Sequence, residues 1–234
     1  GTFGALNGKL FSDEVDFEGE WLPDARRYYA NIVGKYGVQV QALLKKAAAV
    51  DIQMICPLHG PVWRSGLSWF MDKYDKWSRY EPEDKAVAII YGSIYGNTEN
   101  AADALASRLT DKGVKDVKMY DVSRTHVSEL IAEIFRCSHV VLACSTYNGG
   151  IYPPMADLLE DMKALSAQNR TVALMENGTW AAASGRLITA KLEEMKNITL
   201  LDTKISIRSA LQNGRETELD AFAQQIVEEM QDGE

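Results

Sequence analysis

From residue 85 onward, short apolar runs of strand length alternate with amphipathic stretches of helical length, and no other feature of the chain restricts its fold as much. Such alternation builds a parallel sheet with helices on both faces. The pattern predicts strands over residues 86–91, 117–122, 139–145, 171–176 and 200–207, with helices near 97–112, 128–135, 153–165, 185–195 and 217–231. Runs such as Val140-Val141-Leu142-Ala143 are apolar at every position, which suits a strand covered on both sides.

Directly after the first run, Ala86-Val87-Ala88-Ile89-Ile90-Tyr91, comes Gly92-Ser93-Ile94-Tyr95-Gly96-Asn97-Thr98-Glu99-Asn100. This is a strand breaking into a hydroxyl-rich loop that opens a helix. Ser93, Tyr95, Asn97 and Thr98 offer short donors, Gly96 permits close backbone approach, and the helix points free N–H groups and its positive dipole end at the loop. A nucleoside triphosphate site would add the Walker lysine and a Mg²⁺ ligand. A loop without Lys or Arg suits a single phosphate monoester instead, such as that of flavin mononucleotide (FMN). The bland alternative is a helix capped by Asn97 or Thr98 that binds nothing.

Two further loops shift the balance. The run Val140 to Ala143 leads into Ser145-Thr146-Tyr147-Asn148-Gly149-Gly150-Ile151-Tyr152, and Thr171 to Met175 leads into Glu176-Asn177-Gly178-Thr179-Trp180. In an open parallel sheet such loops share one edge, and ligands bind where the strand order reverses. The first loop is expected to hold phosphate. The second and third offer Tyr147, Tyr152 and Trp180 to a flat ring system.

Composition narrows the partners. Acidic residues outnumber basic ones 33 to 25, a net charge of −8, and no basic patch with interleaved aromatics is present, which argues against nucleic acid. The chain is 46% apolar, yet no run approaches the ~18 to 20 apolar residues of a membrane span. Gly1-Thr2-Phe3-Gly4 shows no secretory signal, and without an initiator Met the chain is expected to be a piece of something longer. Cys137 and Cys144 bracket one expected strand, where ~3.3 Å per residue separates them beyond disulfide reach. With Cys56 they make a sparse, odd set, so a reducing cytoplasm is expected.

Residues 1–80 differ in character. Residues 3–11 look like strand and turn, 13–20 like an acidic loop, and 23–50 mostly helical with a break near Gly34 and Gly37. Residues 52–63 read as a short strand ending at His59 between Pro57 and Pro61, residues 66–80 as a linking helix, and Glu81-Pro82-Glu83-Asp84 as a domain boundary. This segment is too small to bury a core and is expected to pack on a missing N-terminal part or a partner chain. His126 and His139 are assigned no chemistry, the first in a solvated connection and the second at a strand start. Cys56 and His59 have a zinc-like gap but no second pair.

These residues carry a resemblance. Residues 85 to about 230 resemble a flavodoxin-like FMN domain, and Phe3-Gly4-Ala5-Leu6, Pro57-Leu58-His59-Gly60-Pro61-Val62-Trp63 and Tyr91-Gly92-Ser93-Ile94-Tyr95-Gly96-Asn97-Thr98 together make the chain similar to the C-terminal part of a flavodiiron protein. The resemblance implies an α/β fold: a flavodoxin-like, doubly wound, five-stranded parallel sheet of order 2-1-3-4-5 over residues 85–234. Before it, residues 1–80 would be a mostly helical remnant of a metallo-β-lactamase-like diiron domain. Flavodoxin itself commonly illustrates the rule for ligands at strand-order reversals, so the placement of the site applies that rule.

By the same resemblance the cofactor is FMN. Ser93, Ile94, Tyr95, Gly96, Asn97 and Thr98 would take the phosphate, while Ser145, Thr146, Tyr147, Asn148, Gly149, Gly150, Tyr152, Asn177, Gly178, Thr179 and Trp180 would line the ring. His59 would stand where the family has its last iron ligand. The remaining histidine and carboxylate ligands have no counterpart in the chain, and one histidine cannot hold two metals. The diiron centre therefore belongs to the full-length protein, and His59 in this chain alone is expected to be an unmetallated loop residue. The family's proteins are cytoplasmic, accept electrons from a rubredoxin or similar donor, reduce nitric oxide or dioxygen, and pair head to tail. A stand-alone flavodoxin-type carrier or a flavin-dependent quinone reductase is the alternative, with a flavin-free interaction domain as the third reading.

Overall fold

Apolar positions on β1 (Asp84–Gly92) and β3 (Cys137–Tyr147) alternate between two cores, one on each face of the sheet, in a computed structural model that describes residues 8–232. Ile90, Val140, Leu142 and Cys144 face one side; Ile89, Tyr91, Val141 and Ala143 face the other. With β2 (Val117–Asp121), β5 (Arg170–Asn177) and β6 (Ile198–Ile207), these strands form a parallel sheet of order β2-β1-β3-β5-β6. Counting only these five, the order is the expected 2-1-3-4-5. Each strand boundary lies within two residues of its expected position.

One strand was not expected. Gly150–Ile151 forms β4, antiparallel to the end of β3, so the second loop is a tight hairpin. Its turn residues, Asn148 and Gly149, both have positive φ (49° and 72°). That is the geometry an Asn-Gly hairpin turn requires, and the dipeptide was the available signal.

On one face, α4 (Asn97–Asp111) and α8 (Glu216–Asp232) pack Ala101, Leu105, Leu109, Leu219, Phe222 and Ile226 onto the sheet. On the other lie α5 (Val127–Arg136), α6 (Pro153–Ala164) and α7 (Ser184–Leu192). The α7 helix ends earlier than expected, where the Met195 N–H turns back to the Leu192 carbonyl.

The N-terminal segment holds α1 (Leu22–Tyr28), α2 (Gly37–Ala47) and α3 (Leu67–Ser78), with the break at Gly34 taken up by a 3₁₀ turn. Two expectations are corrected here. The acidic stretch 13–20 is helical: a 3₁₀ turn at Ser12–Glu14, then a π-helical turn at Phe17–Trp21 that Asp16 caps by accepting the Gly19 N–H at 2.9 Å. Residues 52–63 form no strand, only the isolated bridges Ile55 to Trp63 and Phe11 to Val62, because Pro57 and Pro61 each remove a ladder donor. The segment also packs within the chain. Arg27 donates to Ser128 at 2.7 Å and Glu129 at 3.0 Å on α5, Asn31 donates to the Ser128 carbonyl at 2.9 Å, and Phe17, Trp21, Tyr29, Trp63 and Trp77 join the core beneath α5. The pattern Phe3-Gly4-Ala5-Leu6 lies outside the described residues.

Cys137 and Cys144 are buried free thiols within β3. His126 sits exposed at the N-terminus of α5, where its ring accepts the Ser128 N–H at 3.2 Å. No helix among the described residues is long and apolar enough to cross a membrane.

Candidate functional site

The sheet register brings the loop-bearing strand ends level. Gly92 pairs with Cys144, Cys144 with Glu176, and Ser145 with Asn177. Strand order reverses between β1 and β3, so the loops open at the crevice where ligands of doubly wound sheets bind.

The helix opening there is bare. Gly96 is the N-cap of α4, at φ 84° with no side-chain cap, so neither Asn97 nor Thr98 caps it as the bland alternative required. A left-handed N-cap without a side chain leaves the first-turn N–H groups facing the loop. Glu99, in that same turn, is drawn aside to accept the Tyr91 hydroxyl at 3.0 Å. Burial, then this carboxylate, push the Tyr91 phenol up to about 12. Ser93 Oγ is buried with no hydrogen-bond partner among the described residues, a donor waiting for an acceptor.

Behind the loop lies a buried polar lattice. Thr98 Oγ1 is 2.8 Å from Ser145 Oγ, and Asn177 Nδ2 donates to Thr98 at 3.2 Å. The Asn177 carboxamide also bonds both backbone groups of Ser209, donating to its carbonyl at 2.8 Å and accepting its N–H at 3.0 Å. Asn177 thereby joins three loops, with both amide N–H groups and one lone pair of its oxygen engaged. Thr146 is similarly engaged. Its hydroxyl accepts N–H groups from Ala183 at 3.0 Å and Ser184 at 3.3 Å, fastening the start of α7.

Glu176 secures the other end of that loop. Its carboxylate accepts the Gly185 N–H at 2.9 Å, the Ser206 hydroxyl at 2.6 Å and the Lys204 ammonium at 2.8 Å. Burial raises its pKa, but these partners more than offset it, so the acid sits below the usual carboxylate range.

A cavity of about 100 Å³ unites Ser93, Ile94, Tyr95, Asn97, Thr98, Ser145, Thr146, Asn177, Gly178 and Thr179, with Ser209 as one residue the sequence reading missed. It is far smaller than the ~300–1,000 Å³ of pockets that swallow a whole cofactor-sized ligand. A phosphate group fits within, while a three-ring heterocycle would lie outside against the exposed aromatics Tyr95, Tyr147 and Trp180. Gly96, Tyr147, Asn148, Gly149, Gly150, Tyr152 and Trp180 lie outside the cavity lining. Tyr152 packs against Gly92, where a Cβ would come within 2.7 Å of its ring, and its hydroxyl pairs with Ser123 at 3.1 Å. A larger concavity of about 720 Å³ sits at the opposite edge of the sheet, near Lys85 and His139, away from these loops.

His59 is exposed in the turn between Pro57 and Pro61, its ring 5.8 Å from that of Tyr28. Among the described residues no group of three or more His, Cys, Asp or Glu side chains is placed to hold a metal.

Comparison with known proteins accords with this geometry. The flavodoxin family model matches residues 89–226. The chain is 32% identical over 187 residues to the anaerobic nitric oxide reductase flavorubredoxin of Aeromonas salmonicida, covering 78% of the chain and 35% of that protein. It is 30% identical over 190 residues to an uncharacterised protein of Methanocaldococcus jannaschii, covering 80% and 47%. Rubredoxin oxygen:oxidoreductase from Desulfovibrio gigas superposes with a TM-score of 0.86 at 26% identity, covering 95% of this chain and 55% of that one. The flavodiiron protein of Giardia intestinalis shares the fold, with a TM-score of 0.86 at 20% identity over 96% and 56% of the two chains. The chain spans less than half the length of these curated relatives. On the family match and the architecture that carries it, the chain belongs to the flavodoxin family, with flavorubredoxins and flavodiiron proteins as its homologues.

Proposed function

We propose that residues 85–234 bind FMN without a covalent link and serve electron transfer within a flavodiiron-type nitric oxide or dioxygen reductase. One observation carries this reading: the uncapped N-terminus of α4, the orphaned Ser93 hydroxyl and the polar lattice behind them meet in one phosphate-sized cavity at the β1/β3 strand-order reversal. Bound FMN would supply one- and two-electron redox chemistry there. The chain's own residues would do the rest. The first turn of α4, with Ser93, Asn97 and Thr98, would hold the phosphate, using the helix dipole in place of a cation. Tyr95, Tyr147 and Trp180 would flank the ring, and the 177–184 loop, fastened by Thr146 and Glu176, would set its position.

In this reading, residues 1–80 are the end of a metallo-β-lactamase-like diiron domain, His59 is an iron ligand only in the full-length protein, and the work is done in the cytoplasm. The donor is a rubredoxin or similar protein, in line with the names of the Desulfovibrio gigas and Aeromonas salmonicida proteins. Subunits of the full-length protein pair head to tail. Titration of the purified chain with FMN, followed by quenching of flavin fluorescence, tests the central claim. Saturation at one FMN per chain is expected, and absence of binding at high micromolar FMN overturns it.

A further inference from the structure

Resting on the FMN reading, we propose that Ser209, in the loop after β6, is a fourth arm of the phosphate site and makes the chain prefer phosphorylated flavin. The first three loops were evident as Gly- and Asn-rich turns; the 208–210 segment, Arg208-Ser209-Ala210, has no such signature. Yet Ser209 lines the same cavity as Ser93, Asn97 and Thr98.

Its conformation is unusual. Ser209 has φ 64°, in the left-handed region that side-chain-bearing L residues avoid. Such a backbone persists only where its surroundings over-determine it, and such residues concentrate at ligand clamps. Here the surroundings are the Asn177 carboxamide, which bonds the Ser209 carbonyl at 2.8 Å and its N–H at 3.0 Å, while also bonding Thr98 at 3.2 Å. Asn177 thus ties the β6 loop to the helix that opens the phosphate cradle.

The hydroxyl is left ready to donate. Asn97 Nδ2 donates to Ser209 Oγ at a long 3.5 Å, which uses the oxygen as acceptor and leaves the hydroxyl proton unspent among the described residues. Ser93 presents a second unspent hydroxyl in the same cavity. Two such donors flanking an uncapped helix N-terminus form a cage for a dianion that carries no cation of its own.

The test compares FMN with riboflavin, which has the same ring and no phosphate. Dissociation constants are measured for the wild-type chain, Ser209→Gly and Ser209→Ala, with thermal midpoints as a fold control. Ser209→Gly removes the hydroxyl and relaxes the backbone, so any loss cannot arise from added strain. FMN binding is expected to weaken roughly tenfold or more in both variants, with riboflavin binding unchanged. Unchanged FMN affinity in Ser209→Gly, or equal loss for both flavins, overturns the proposal. Should Ser209→Gly fold poorly, Ser209→Ala is read by the same criterion. A wild-type chain that binds neither flavin refutes the FMN reading itself, before any variant is made.

Discussion

Arg26 on α1 and Glu83, the residue before β1, form an ion pair almost sealed from solvent, with side chains 6% and 1% exposed. The Glu83 carboxylate also accepts Trp77 Nε1 at 2.8 Å and pairs with Lys73 at 3.1 Å. A stretch that reads in sequence as a domain boundary is thus an anchor point joining α1, α3 and the first strand.

Glu83→Gln is expected to destabilise the chain by about 3 kcal/mol, because buried Arg26 is left with only the Glu133 carboxylate at 3.8 Å and half-buried Lys73 loses its partner. Urea denaturation of the variant and wild type checks this. Burial raises the Glu83 pKa, but the Arg26 bond and charge, with Trp77 and Lys73, bring it below the ordinary 4.5. The folded state therefore holds the proton less tightly than the unfolded chain. The contribution is complete above pH 4.5 and is lost as pH falls through the lower folded value. A stability profile that is flat below pH 4.5 would contradict the assignment.

His139 acts in a different window. Burial, aided by the nearby Lys85 charge, pushes its imidazole down from 6.5 to about 4. The unfolded chain takes up this proton first, so stability is full above pH 6.5 and declines as pH drops toward 4. Comparison of urea midpoints at pH 7.5 and 5 should show a smaller difference in His139→Leu than in the wild type.

Trp180 is 96% exposed, so Trp180→Ala should leave stability within about 0.5 kcal/mol of wild type. If the indole flanks the flavin ring, FMN affinity should fall by about 0.5–1.5 kcal/mol, the scale of an aromatic pair. Isothermal titration with FMN measures it. Identical affinity would remove Trp180 from the site.

At Gly178 a Cβ would meet the Ala181 carbonyl and Ala182 Cα, both at 2.8 Å. These are backbone atoms that cannot step aside, so Gly178→Ala should cost about 1–3 kcal/mol and reshape the turn that carries Trp180. Weaker FMN binding with a lowered thermal midpoint is expected.

Strand and helix positions were legible because they depend on local periodicity. The unbroken apolar run at Val140 to Ala143 and the start of α4 at Asn97 needed no distant information. Convergence of the loops after β1, β3 and β5 followed from the parallel order. The β4 hairpin is likewise encoded locally, in Asn148-Gly149.

What tertiary structure alone decided was the use made of individual polar side chains. Asn177 and Thr98 are 79 residues apart, Arg26 and Glu83 are 57 apart, and nothing local marks either pair. The same holds for Ser209, whose left-handed backbone is set by Asn177, and for Thr146, which caps a helix beginning at Ser184. A residue's type states which hydrogen bonds it can make. Only the fold, by bringing remote groups within hydrogen-bond reach and excluding water, determines which of them are used in holding the protein and which remain for a ligand.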